Sequence, residues 1–153
     1  MSQVPTKHAV AIAGASGRMG QMLIEAVMKA TDCQLAGALD IAASPSLGKD
    51  ASGFTGQNSG VLITSDMAAG MQNCHALIDF TRPEGTMEHL RLCRKMGVKL
   101  VIGTTGFTDA QKAEIADAAK GVAIMFAPNM SPGVNITLKL LQMAAKAMDT
   151  GYD

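Results

Sequence analysis

The sequence lacks a charge bias: 13 basic residues balance 13 acidic ones, and no basic block occurs. A neutral chain of this kind has no electrostatic footprint for nucleic acid or for an anionic membrane. Long apolar runs are missing too, since no segment approaches the roughly 18 apolar residues of a membrane span. The opening "MSQVPTKH" carries no apolar core of signal-peptide length. These absences point to a cytoplasmic protein with neither membrane nor nucleic-acid partners. Cysteine is scarce: Cys33, Cys74 and Cys93 are odd in number and form no C-x-x-C pair. Neither a disulfide framework nor a zinc site is indicated, and no metal is expected. Cys93 reads as a buried thiol rather than a nucleophile.

What is present is ordinary for a globular chain. The 153 residues make one domain, or one domain and part of another, with 48% apolar and 17% charged residues. Short apolar runs recur as "HAVAIA" (8–13), "QLAGAL" (34–39), "VLIT" (61–64), "ALIDF" (76–80), "VKLVI" (98–102) and "VAIMF" (122–126). Their nearly continuous apolar character predicts parallel strands covered on both faces. Helical patterns lie between them. Pro83 stands in a first turn of a helix that ends at Gly97. Thr108 and Gln111 have capping-box spacing for a helix running to Gly121, and Ser131 with Pro132 opens a last one. This alternation predicts an α/β fold, a doubly wound, mainly parallel sheet with helices on both faces. Residues 42–60 form the one extended loop, of a length that implies function or mobility.

The stretch "AIAGASGRMGQM" (11–22) places Gly14, Gly17 and Gly20 where the first strand hands over to a helix. Glycine weakens regular structure by roughly 0.5–1 kcal/mol relative to alanine, so the positions need a reason. Gly14 permits a tight turn, Gly17 leaves room for a diphosphate on backbone amides, and Gly20 brings helix and strand close. The helix N-terminus supplies unpaired donors and partial positive charge for that anion. Arg18 adds a further charge. Asp40, at the end of the second strand, is placed to accept hydrogen bonds from an adenosine ribose. The reading is a Rossmann-type dinucleotide site. Asp40 repels a 2′-phosphate and is followed by Ile41 rather than arginine, which favours NADH, with NADPH open through Lys49.

Three further segments fall at predicted strand ends: "DFTRPEGT" (79–86), "GTTGFT" (103–108) and "APNMSPGVN" (127–135). Ligands of open α/β sheets bind along that edge. Each segment supplies small or polar groups suited to a nicotinamide and its ribose.

Together, "AGASGRMG", "DFTRPEGT", "VIGTTGF" and "NMSPGVN", in this order, resemble the N-terminal cofactor domain of the dihydrodipicolinate reductase family. The resemblance runs from about His8 to the end of the chain. It implies an NAD(P)H-dependent reductase acting on 4-hydroxy-tetrahydrodipicolinate in diaminopimelate and lysine biosynthesis. It places the diphosphate loop on Gly14, Ala15, Ser16, Gly17, Arg18 and Met19, and the ribose acid on Asp40. The nicotinamide-side contacts fall on Phe80, Thr81 and Arg82, on Gly103, Thr104 and Thr105, and on Ala127, Pro128, Asn129 and Met130. Thr105 would also lie near a substrate carboxylate. The family's histidine–lysine motif and P-S-G-T loop have no counterpart, so no catalytic residue is expected within the chain and the substrate machinery is expected beyond Asp153. Residues 1–130 then form the dinucleotide-binding domain, and 131–153 a helix leading toward a substrate and tetramerisation domain. The family's homotetramer is not expected of this chain alone.

His8, His75 and His89 have no convergent acid or ligand spacing in the sequence and read as structural. The last helix, "NITLKLLQMAAKAM", is apolar around most of its circumference and calls for burial, association or disorder. Other Rossmann dehydrogenases share the glycine loop but leave "DFTRPEGT" followed by "GTTGF" unexplained. A nucleotide-sensing module and a methyltransferase are the readings from other classes.

Overall fold

The computed structural model describes residues 7–148. Six parallel strands form one sheet in the order β3-β2-β1-β4-β5-β6. They are β1 (His8–Ala13), β2 (Cys33–Leu39), β3 (Ile63–Thr64), β4 (Ala76–Asp79), β5 (Lys99–Ile102) and β6 (Ile124–Phe126). Around them lie α1 (Arg18–Lys29), α2 (Met67–Met71), α3 (Pro83–Met96), α4 (Asp109–Ala118) and α5 (Pro132–Ala147). The chain runs outward from β1 to β3, then returns to β1's other side for β4. That reversal creates a crevice above the C-terminal ends of β1 and β4, where doubly wound sheets take dinucleotides.

The strands are apolar on both sides because both sides are covered. Val10 and Ile12 of β1 pack with Ile24 and Val27 of α1, whereas Ala11 and Ala13 face a second cluster. That second cluster holds Leu77, Leu100 and Ile102 with Met87, Leu90 and Cys93 of α3 and Ile115 of α4. The expected doubly wound architecture is present.

Helix ends follow the sequence signals. Thr108 and Gln111 form the reciprocal capping box, and Ser131 Oγ accepts from Val134 N. Gly97 closes α3 in the left-handed region, with φ +73°. Helix α4 stops at Ala118, and a turn carries the chain through Gly121. Two elements differ from expectation. The strand expected over 61–64 is reduced to Ile63–Thr64, because Gly48–Ala51 folds back against Val61–Ile63 and occupies its outer edge. Helix α2 is unanticipated; Asp66 caps it, its carboxylate accepting from Ala69 N at 3.0 Å.

The 42–60 loop is ordered by Asp50. Its Oδ1 accepts from the backbone and hydroxyl of both Ser52 and Ser59, and Oδ2 accepts from Gly60 N. Burial pushes the Asp50 carboxyl up, but these bonds outweigh it and hold it well below the usual range. Helix α5 projects from the sheet with no buried residue; Ile136, Leu140, Leu141 and Met143 are each about 60% exposed. The end of the expected 131–153 segment, residues 149–153, lies outside the described residues. No described helix is long and apolar enough to cross a membrane.

Candidate cofactor-binding site

The crevice is a groove of about 1250 Å³. Sites for drug-sized ligands hold roughly 300–1,000 Å³, so this one suits something longer. Its floor is the turn from β1 into α1. Gly14 has φ +72°, a conformation other residues rarely adopt, and Gly17 N donates back to Gly14 O at 3.0 Å. A Cβ on Gly20 would lie 2.0 Å from that same carbonyl, so only glycine lets α1 approach β1 here. Helix α1 begins at Gly17 with no side-chain cap and no acid in its first turn. Its leading amides therefore point into the groove without the partner that most helices supply. Arg18 and Met19, exposed in the first turn, also line the groove.

Asp40 closes one end. Its Oδ2 accepts from Ser16 N at 3.0 Å and from Ser44 Oγ at 3.2 Å, and its Oδ1 accepts from Ile41 N at 2.9 Å. A carboxylate offers about four acceptor positions, so one is free, and a second frees itself when the Ser44 hydroxyl turns away. Two vicinal ribose hydroxyls need two. Beside it, a smaller cavity of about 240 Å³ is lined by Ser16, Ser46, Lys49 and Asp50 among others. Lys49 thus shares this cavity with Ala15 and Ser16 of the glycine loop.

The other wall comes from the segment after β4. Phe80, Thr81 and Arg82 line the groove, and the Phe80 ring lies on Gly103, where a Cβ would be 2.0 Å from Phe80 Cε1. Residues 103–105 and 127–130 follow β5 and β6 along the same sheet edge but lie outside the groove's lining. Thr105 is exposed there. Thr104 is buried, its hydroxyl accepting from Thr86 Oγ1 at 3.0 Å and donating to Asp79 Oδ1 at 3.4 Å. Asn129 Oδ1 accepts from Ser131 N, while its Nδ2 is a buried donor with no partner among the described residues.

A dinucleotide fits this donor set. The bare helix start and the side-chain-free seat at Gly17 suit a diphosphate, and Asp40 suits a ribose.

The histidines divide. His75 Nδ1 accepts from Ala9 N at 3.0 Å, as a structural residue would. His89 corrects the expectation that no histidine has an acid partner: its Nδ1 lies 2.8 Å from Asp79 Oδ2, and the ring borders the groove. The ten-residue separation hid this pair, because a strand end and the second turn of the next helix meet only once βαβ packing forms. Met22 and Glu84, within the quoted stretches but not singled out, also line the groove, as do Ser65, Met67 and Glu88, which carried no sequence signal. Among the described residues, no cluster suited to a metal occurs.

Comparison with known proteins agrees with this geometry. The family description "Dihydrodipicolinate reductase, N-terminus" matches residues 8–130. The 4-hydroxy-tetrahydrodipicolinate reductase of Herminiimonas arsenicoxydans is 62% identical over 144 residues, 94% of this chain and 54% of that protein. The enzyme of the same name from Burkholderia multivorans is 60% identical over the same share of each. The chain therefore spans about half the length of the curated relatives it matches. Among solved structures, dipicolinate-bound dihydrodipicolinate reductase from Paenisporosarcina sp. TG-14 superposes with TM-score 0.74 and 29% identity, over 92% of this chain and 54% of that one. A WlbA dehydrogenase solved with NADH and UDP-GlcNAcA superposes with TM-score 0.66, covering 96% of this chain and 43% of that one; at 19% identity it shares the fold alone. With its N-terminal domain matched across β1 to the segment after β6, the chain belongs to the dihydrodipicolinate reductase family.

Proposed function

We propose that this domain binds NADH in preference to NADPH and is the coenzyme half of a reductase that converts 4-hydroxy-tetrahydrodipicolinate to tetrahydrodipicolinate in diaminopimelate and lysine biosynthesis. One observation carries the reading: an uncapped helix N-terminus with a glycine seat, opening at the switch point of the sheet beside an engaged carboxylate. The relatives named for this reaction supply the substrate class. When bound, the coenzyme supplies the hydride.

The residues of this chain bind and orient. Amides of Arg18, Met19 and Gly20 hold the diphosphate, with Arg18 adding a cation. Asp40 accepts the ribose hydroxyls. A 2′-phosphate would meet that carboxylate with no guanidinium at Ile41 to offset the repulsion, which is the ground for the NADH preference. Phe80, Thr81 and Arg82 wall the nicotinamide side, and residues 103–105 and 127–130 approach from the neighbouring strand ends. Thr105, exposed at that edge, is assigned to a substrate carboxylate. Donation of the balancing proton, to an atom beside the carbon that takes the hydride, is assigned to the half of the relatives' length that this chain does not span, as is assembly into the homotetramer. The protein is placed in the cytoplasm with its small-molecule substrate, without nucleic-acid or membrane partners.

Titrating the 153-residue chain with NADH, NADPH and S-adenosylmethionine, followed by coenzyme fluorescence and calorimetry, tests the proposal. NADH should bind most tightly and S-adenosylmethionine not at all. Equal or tighter NADPH binding removes the specificity assignment; binding of neither dinucleotide removes the function.

A further inference from the structure

Among the described residues, Asp79 and His89 form the one ion-pair geometry buried on both sides, with side chains 0% and 11% exposed. Asp79 ends β4 at the sheet edge, and its two oxygens reach different elements. Oδ1 accepts from Thr81 N at 2.9 Å and Thr81 Oγ1 at 2.6 Å, and takes the longer contact from Thr104. Oδ2 faces His89 Nδ1 on α3. Thr86, also on α3, completes the set through Thr104. One carboxylate thus ties together the turn after β4, the turn after β5 and the helix between them.

The chemistry fixes the proton's place. Burial pushes the Asp79 carboxyl up, and the bonds from His89 and Thr81 overcome this and hold it low. An ionised carboxylate only accepts, so His89 Nδ1 carries the hydrogen of this bond. A buried carboxylate bonded at once from the turn after β4, from the turn after β5 and from α3 fixes these three elements against one another, and that positioning is its use.

Resting on the coenzyme reading above, we propose that His89 is a positioning residue for the nicotinamide half of the site. Through Asp79 it sets the 80–82 turn and, through Thr104, the 103–105 turn, so that this wall stands before the coenzyme arrives. A wall ordered in advance lowers the entropy lost on binding. The diphosphate and adenosine end, built from α1 and Asp40, shares none of these bonds. His89 should therefore affect one half of the ligand only.

The test compares NADH with ADP, which lacks the nicotinamide nucleotide's ring and ribose, by calorimetry on the 153-residue chain. His89→Leu should weaken NADH about tenfold, the worth of one charge-assisted hydrogen bond, and leave ADP within about twofold. His89→Asn, whose amide can stand where Nδ1 does, should recover most of the NADH loss. Should His89→Leu fail to fold, Thr104→Val cuts the outer link alone and should weaken NADH selectively by about threefold. Equal losses for both ligands, or no loss for NADH, overturn the proposal while leaving the coenzyme reading intact. A wild-type chain that binds neither ligand overturns both.

Discussion

The backbone amide of Ser16 donates to Asp40 Oδ2 at 3.0 Å, so the glycine loop and the acid at the end of β2 are one bonded unit. Ala15 N donates to Leu39 O at 2.9 Å and ties the same two segments one residue earlier. The glycine loop and Asp40 therefore hold a fixed separation, and a dinucleotide bound as proposed would meet both with only the Ser44 hydroxyl turning aside.

That coupling makes Asp40 a test of specificity. Asp40→Ala should weaken NADH at least tenfold, since bonds to a charged acceptor contribute about 1.5–3 kcal/mol. It should weaken NADPH less, because a repulsion disappears along with the bonds. Adding Ile41→Arg to Asp40→Ala should turn the preference toward NADPH. Fluorescence titration of both coenzymes against the variants measures the ratio, and an unchanged ratio contradicts the assigned role.

How much of this was legible in the sequence follows from the range of each signal. The glycine turn, the capping box at Thr108 and Gln111, and the α3 stop at Gly97 are local, and each stands where its residues indicated. The short β3 was not legible, because its partner Gly48–Ala51 arrives from a loop whose organiser, Asp50, resembles any other polar residue. The Asp79–His89 pair was hidden for a similar reason: neither residue has a partner until β4 and α3 pack. Thr104, read as a groove residue from its place after β5, spends its hydroxyl inside the fold.

Asp79 should make stability depend on acidity. Its folded value lies below the unfolded one, near 4, so its contribution is present above about pH 4 and fades as pH falls through the lowered value. Asp79→Asn should cost about 2–3 kcal/mol at pH 7, from donors left unpaired. The gap should narrow as pH falls below about 4, the unfolded value, toward the lowered folded one. Urea unfolding across that range decides; a gap that stays constant shows that the charge is irrelevant.

Cys93 should be inert in the folded protein. Burial first, then the nearby charges of Asp79 and Cys74, push its thiol up to about 12. At pH 8 the thiolate fraction is then on the order of 10⁻⁴, and the side chain is fully enclosed against Met71. A disulfide reagent under native conditions should leave Cys93 unmodified by mass spectrometry until the chain unfolds. Rapid native labelling would show that α3 opens.

Two glycines of one turn should fail in different ways. At Gly20 an added methyl meets the Gly14 carbonyl at 2.0 Å, backbone that cannot step aside without moving α1 from β1. Gly20→Ala should therefore cost about 1–3 kcal/mol of stability, as overpacking does, and weaken the coenzyme as a consequence. At Gly17 the methyl would stand 3.2 Å from the same oxygen, a tight contact that a few tenths of an ångström relieve. The Gly17 backbone is extended, with φ −73° and ψ 161°, which alanine adopts freely. Gly17→Ala should thus keep its melting temperature near wild type while its methyl enters the diphosphate seat, weakening NADH about tenfold or more through the displaced amide contacts. Thermal melts and NADH titrations on both variants separate the two roles. If Gly17→Ala binds NADH normally, the diphosphate does not rest where α1 begins.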